Sequence, residues 1–455
     1  MSIAFAASPL QTDGVSKALL FAVLALVLGA ARHAVGQSPL LTVPMVTVGN
    51  PNNAAASATN TTYPSSYSGA YGYGSVSYAY QIGTTEVTVS QYATFLNAVA
   101  ASDPYGLYNT NMGTDLNIAG ITRSGSSGNY SYTPLSGTGN LPIAYTSFFD
   151  AARFVNWLQN GAQQNGNTES GTYTMSTGNI SAVDVANNVV TVTTSAVPAS
   201  LSIGDQVSIA GTTVDNGATG YVSAKTATTF SFAMSGSDQN VTTGGTFTAV
   251  SASRNQGSTF FIHNQNEWYK AAFYDPTLVV NSTAGGYYLY QTKSNDAPFS
   301  INAPGTGSPA NGNAANYYYG SSSNVGYNNG YAVTSSATGN SDQLYLTPAG
   351  GYTNSASYYG TFDQGGNLIE WMEDSTSSYR YLRSGSWSIG IGALAADNQG
   401  ATGPSGEYNN VGFRIAAVPE PNASALVAVG VGFLFFVVLR RRRGVTRSRE
   451  GAKGF

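Results

Sequence analysis

The chain has 455 residues, of which 9% are charged, and its formal net charge is −4. It contains no Cys, which excludes a disulfide framework, a catalytic thiol and a thiolate metal site. No basic face is evident along the sequence, and nucleic-acid binding requires one.

At the N-terminus Lys17 precedes an apolar run at residues 18–31, too short for a comfortable membrane span. Ala34-Val35-Gly36 then offers small residues at the −3 and −1 positions of a cut before Gln37. This is the pattern of a secretory signal peptide, so residues 1–36 are expected to be removed during export. His33 leaves with them and His263 is the one histidine retained. A multi-histidine metal site is thereby excluded, and a Ser-His-Asp triad could be built only around His263.

Residues 37–77 are rich in Ala, Asn, Ser and Thr and read as an extended, low-complexity lead-in with one strand at 41–48. Residues 79–83 read as a strand. Ser90 is placed to cap a helix over 91–100, with Tyr92, Phe95, Leu96 and Val99 on one face. A second helix is expected at 149–159 and a short third at 266–274. From 178 to 250 the texture changes to short Thr/Val-rich strands, such as 189–193, 206–209, 220–223 and 230–233, separated by turn residues. That stretch reads as a small all-β module inserted in a loop of a host domain at 78–177 and 251–417, where insertion is tolerated. Few helices and many irregular loops give an α+β class.

The four tryptophans lie in short segments: Leu141-Pro142-Ile143 through Asp150 to Trp157-Leu158, Asn266-Glu267-Trp268-Tyr269-Lys270-Ala271-Ala272, Gly366-Asn367-Leu368-Ile369-Glu370-Trp371, and Leu382-Arg383-Ser384-Gly385-Ser386-Trp387. Upstream stand Ile82-Gly83-Thr84-Thr85-Glu86-Val87-Thr88 and the helix bearing Tyr92 and Phe95; Val411-Gly412-Phe413-Arg414 closes the series. Taken in this order, over about residues 78–415 without the insert, they resemble the sulfatase-modifying-factor family, the fold of the formylglycine-generating enzyme. The resemblance implies an irregular C-type-lectin-like α+β fold. The aromatics themselves are core candidates by size.

The same resemblance implies two structural calcium sites. One falls on Asp363, Gly366, Leu368 and Glu370, two side-chain and two main-chain oxygens on a Gly-rich turn, with Asp363 where the family often has Asn. The other falls on Asn316 and Asp342 by side chain and on Tyr317 and Leu344 by carbonyl, with Asp342 six residues before Pro348. Calcium takes several oxygens at about 2.3–2.6 Å, which such turns supply. The active enzymes of the family bind copper through two cysteines just after the Gly-Ser-aromatic motif. Here that stretch reads Ser388-Ile389-Gly390-Ile391-Gly392, with Ile389 at the first thiol position. An isoleucine neither ligates copper nor donates a thiolate, so no copper is expected. The related sulfoxide synthases hold iron with histidines from an extra helical domain, and this chain has neither. The reading that follows is a non-catalytic exported surface or matrix protein that binds a glycan or another surface polymer. The alternative is an enzyme of unknown chemistry in the same cleft, drawing on His263, Asp397, Glu407 and Arg414, which no spacing unites.

At the C-terminus Pro419-Glu420-Pro421 precedes an uncharged apolar run, residues 423–439, and then Arg440-Arg441-Arg442-Arg443. The run is at the short end of what spans a bilayer, and the arginines hold the end of the chain at the cytoplasmic side. This order resembles the PEP-CTERM sorting signal of Gram-negative surface proteins. The resemblance implies a transmembrane helix within 418–443, a cytoplasmic tail at 444–455, transient residence in the inner membrane and recognition by an exosortase-type protease. The protein then reaches the outer surface or extracellular matrix. Replacing Pro419, Glu420 and Pro421 by Ala is expected to leave the helix inserted and block processing; cell fractionation checks this, and unchanged release of the shortened form contradicts it.

Overall fold

The computed structural model describes residues 38–419, except 214, 305–311, 321–328 and 377. Residues 1–36, expected to direct export, and the expected helix and basic cluster at 423–443 therefore lie outside the described residues. Among the described residues no helix is long and apolar enough to cross a membrane.

Three helices begin with the same device. In α1 (Val89–Val99) the Thr88 hydroxyl accepts from Gln91 N at 3.3 Å, and the Gln91 side chain returns a bond to Thr88 N at 2.9 Å. The cap is thus Thr88, not Ser90: the reciprocal pair needs the Gln three residues after the cap, and only Thr88 has one. Ser147 and Asp150 open α2 (Phe148–Gln159) in this way, and Asn264 and Glu267 open α3 (Gln265–Phe273). Helix α2 is buried from Phe148 to Leu158 and therefore runs through the interior. Phe95 of α1 packs edge-on against Phe154 of α2 at 5.3 Å, and Phe413 meets Phe154 at the same separation.

The rest is short strand and loop. One antiparallel sheet takes its strands in the order Met45–Val48, Tyr80–Gly83, Ile415–Ala417, Phe260–Ile262. It draws together the two ends of the described domain and its middle. A second sheet runs Gly400–Thr402, Arg380–Arg383, Ile369–Ser375, Val411–Gly412, with the last pair parallel. This mixed, mostly sheet architecture with few helices agrees with the α+β expectation.

Residues 41–77 are not an extended lead-in. Ala56, Tyr63, Ala70 and Val76 are buried. Tyr63 shares a hydroxyl hydrogen bond with Tyr269 of α3 at 3.0 Å, and the Asn53 amide donates to Gly74 O at 2.7 Å and to the Tyr287 hydroxyl at 2.8 Å. The Ala/Asn/Ser composition that suggests a tether instead lets the backbone approach a tyrosine-lined core closely.

Residues 175–250 form an eight-stranded, wholly antiparallel sheet with its own core. Val183, Val185, Val190, Val192, Ile209, Phe230, Phe232 and Phe247 alternate along the strands and fill one face. The first strand starts at Met175, ahead of residue 178, because Met175 and Val250 at the two ends of the stretch belong to the host core. The sheet is also docked. Gln206, wholly buried, accepts from Arg380 Nε and donates to Ser378 O at 2.9 Å; Thr219 donates to the same carbonyl, and Ser208 meets Ser405 at 2.9 Å. Arg380 is fully buried over the Phe148 ring at 4.1 Å and, among the described residues, forms no ion pair with a carboxylate. Neutral acceptors, Gln206 Oε1 and the Glu373 carbonyl foremost, satisfy it. Because a buried donor left without its acceptor costs about 1–3 kcal/mol, Gln206→Leu is expected to lower stability by that amount in urea denaturation. An unchanged midpoint contradicts this docking.

Candidate functional site

Four of the dispersed motifs meet at one ion pair. Arg414 precedes the strand Ile415–Ala417 and Glu370 lies in Ile369–Ser375; both are 0% exposed. Arg414 Nη2 donates to Glu370 Oε1 at 2.9 Å, and Nε approaches both carboxylate oxygens at 3.2 Å. Its remaining donors go to Gly83 O at 2.8 Å and Phe362 O at 2.7 Å. Glu370 Oε2 also accepts from Trp268 Nε1 of α3 at 2.8 Å and lies 3.4 Å from His263 Nε2. Burial raises the Glu370 pKa, and Arg414 and His263 more than offset it, so its carboxyl titrates below the usual range.

Two further acids share this interior. Glu86 is 1% exposed, 3.8 Å from Arg414 Nη2, and neither of its carboxylate oxygens has a hydrogen-bond partner. Burial and then the neighbouring Asp363 push its pKa well up. Asp363 is half-buried at φ +58° and accepts from Gly350 N at 2.6 Å; burial, opposed by that bond and by Arg414, raises it to about 6.

The residues expected to hold calcium are only partly gathered. Asn316 and the 366–368 turn do meet: Asn367 N donates to Asn316 O at 2.9 Å, and the Asn316 amide donates to Asn367 Oδ1 at 2.9 Å. A Cβ on Gly366 would lie 2.5 Å from Asn316 O, and its φ is +107°, so only glycine fits there. The side chain of Leu368 fills the main core. Tyr317 O already accepts from the Ser300 hydroxyl at 2.6 Å, and Leu344 O from Gln343 Nε2 at 2.7 Å. Asp342 is exposed while Asn316 is 2% exposed. Glu370, turned into its ion pair, offers no free oxygen. As arranged, Glu370 is committed to Arg414 and Trp268, and the remaining expected ligands are the Asp363 and Asn316 side chains and main-chain carbonyls. Among the described residues no group of three or more His, Cys, Asp or Glu side chains has metal-binding geometry.

The segment that carries thiols in the enzymes it resembles is tied down here. Ile389 N donates to Ser386 O and Tyr318 N to Ile389 O, both at 3.1 Å. Beside it Trp387 stacks on Tyr345 at 5.0 Å with 4° between the planes, and half-buried Tyr331 packs on Tyr345 at 4.4 Å and on Tyr318 at 4.9 Å. His263 and Arg414 are sealed in the core and Asp397 lies against Gly69. Glu407 stands at another place, accepting from Asn109 Nδ2 at 2.6 Å and bonded to Asp150 of α2. His263 and Arg414 thus meet at the buried Glu370 carboxylate, while Asp397 and Glu407 stand apart from them.

Residues 74–418 match the family described as "Sulfatase-modifying factor enzyme 1-like domain". The chain belongs to that family. No curated protein matches it. Similar solved structures include "Crystal Structure of CarF" (14% identity, 84% of this chain and 100% of that one, TM-score 0.38) and "Structure of PvdO from Pseudomonas aeruginosa" (12%, 84% and 100%, 0.35). A third is "Treponema denticola variable protein 1" (15%, 82% and 95%, 0.33).

The Asp150–Glu407 pair has a pH signature that the sequence did not announce. Burial and then Asp150 raise Glu407 from 4.5 to about 8, so its uncharged form is favoured in the folded state. Stability should therefore be highest below the unfolded value and fall as pH rises through about 8. Glu407→Gln, which keeps the shape without the charge, is expected to flatten the decline between pH 6 and 8. Denaturation midpoints against pH measure this, and an unaltered slope contradicts it.

Proposed function

We propose that this chain is a non-catalytic exported module that binds a glycan or a related surface polymer at the cell surface or in the extracellular matrix. The observation that carries the reading is Ile389, held by main-chain hydrogen bonds where the family's enzymes place a thiol and flanked by the Tyr318–Tyr331–Tyr345–Trp387 stack. An apolar side chain supplies neither a nucleophile nor a copper ligand. Half-exposed tyrosines, in contrast, offer flat faces to the C–H side of a sugar ring and hydroxyls to its polar edge. His263 supports the same reading, since it and Glu370 are both 0% exposed and out of reach of a substrate. The export segment and the PEP-CTERM-like tail would deliver the module through an exosortase-type protease.

The full-length chain on a glycan array is expected to retain a polysaccharide fragment, and Tyr331→Ala to weaken that binding by roughly tenfold, about 1.4 kcal/mol. The same preparation, with copper, is expected to leave a sulfatase-type Cys peptide unchanged by mass spectrometry. Aldehyde above background overturns the reading, as does an array without any bound glycan.

A further inference from the structure

We propose that Asp115, Tyr145 and Asn409 form the polar edge of the binding site and that the polymer it takes is uncharged; the inference rests on the glycan reading above. Tyr145 Oη donates to Asp115 Oδ2 at 2.8 Å, Asn409 Nδ2 to the same oxygen at 3.3 Å, and Asn117 N to Oδ1 at 3.1 Å. All four residues are half-buried. Two further bonds join them to the aromatic cluster: Trp387 Nε1 donates to Asn409 O at 3.2 Å, and Tyr345 N to Asn117 O at 2.9 Å. Leu116 and Tyr408, next in sequence to Asp115 and Asn409, are 47% and 42% exposed. Distant parts of the chain thus bring a carboxylate, a phenol and an amide to the border of an aromatic cluster.

That set suits sugar hydroxyls. A carboxylate has about four lone-pair positions, and neutral donors take three of those on Asp115. The Tyr145 hydroxyl spends its proton on Asp115 and keeps its own lone pairs, and the Asn409 amide has a second N–H. A sugar hydroxyl both donates and accepts. A carboxylate beside an amide therefore takes two neighbouring hydroxyls of one ring, one as donor and one as acceptor. The C–H face of the ring lies against a tyrosine.

Charge decides the class of polymer. Among the described residues Arg153, Arg380, Arg383, Arg414 and Lys270 are at most 1% exposed. Arg254 is spent on Glu267 and Glu373, and Arg123 on Asp103 and the Tyr108 and Tyr130 rings. Exposed Lys225 lies in a strand of the inserted sheet and exposed Lys293 in the turn closed by Tyr290 and Ser294. Asp115 forms no ion pair among the described residues. A sulfate, phosphate or uronate would therefore meet this carboxylate without a cation beside it, and repulsion of that kind is a source of specificity. An ammonium sugar, in turn, finds three of the four positions on Asp115 already filled. Uncharged hydroxyls match what is left.

The test uses the purified full-length chain on an array that sets neutral polysaccharide fragments beside their sulfated and uronate-bearing counterparts and beside amino-sugar polymers. Neutral fragments are expected to be retained equally at low and at high salt, because no charge pair is there to be screened. Their anionic counterparts should bind more weakly by roughly tenfold or more. Asp115→Asn keeps the shape and removes the charge. It should weaken neutral binding by roughly tenfold and narrow the gap between neutral and anionic fragments, which a merely structural role would not do. Anionic or amino-sugar polymers bound as well as neutral ones overturn this inference alone, as does an unchanged gap in a folded Asp115→Asn. An array without any bound glycan overturns the glycan reading and this inference with it. Should Asp115→Asn fail to fold, Tyr145→Phe decides: neutral binding weakened by roughly threefold or more supports the polar edge, and unchanged binding overturns it.

Discussion

The Arg414–Glu370 pair is the constraint on which the rest of the domain depends. It has no exposed atom to exchange with water, so its desolvation must be offset by complete satisfaction of the guanidinium and carboxylate. Gly83 O, Phe362 O and Trp268 Nε1 supply that satisfaction. Each comes from a different part of the chain, so the pair can form only when the Tyr80–Gly83 strand, helix α3, the 362 turn and the last strand are all in place. Removing one partner of such a pair leaves an uncompensated charge and typically costs about 3–5 kcal/mol. The aromatic core of Tyr92, Phe95, Phe154, Trp157 and Phe413 starts one residue away, at Phe413.

Arginine plays a wider part than the 9% charge content suggests. Arg153, Arg380, Arg383 and Arg414 are among the largest fully buried side chains. Each also serves as a multi-donor cross-link, but with different partners. Arg153 pairs bidentately with Glu169 at 2.7 and 3.2 Å. Arg383 donates to Gln265 Oε1 and to the carbonyls of Ala396 and Asn398, and lies over the Tyr73 ring at 4.4 Å. Arg380 uses Gln206 and the Phe148 ring, and so makes the inserted sheet part of the host interior. In a loop-rich domain with little regular secondary structure, five fixed donors on one planar group join carbonyls that no ladder would bring together.

The loops around this centre separate two jobs that the family resemblance merges. The turn at 363–368 is closed on Asn316 by Asn367, whose amide also bonds Thr347 O at 3.1 Å. The acids Glu86 and Asp363, both pushed up by burial, sit one layer over. The aromatic cluster beside Ile389 is separate again, with Tyr318 and Tyr331 half-buried over the buried Tyr345 and Trp387.

Much of this was legible in the sequence, and for physical reasons. Helix capping is local, so Ser147 with Asp150 and Asn264 with Glu267 mark their helices within four residues. Alternating Val, Ile and Phe announce the one-faced strands of the insert. The order of the Trp-bearing segments discloses the family, and the absence of Cys needs no structure at all. Long-range pairing was not legible. Nothing within a few residues of Glu370 tells that Arg414 will pair with it, 44 positions away. Nor does anything near Glu86 tell that it will be buried without a donor, or anything near Gln206 that it will complete Arg380. Local pattern depends on neighbours along the chain, whereas which buried polar group finds a partner depends on distances that exist only after the chain has closed on itself.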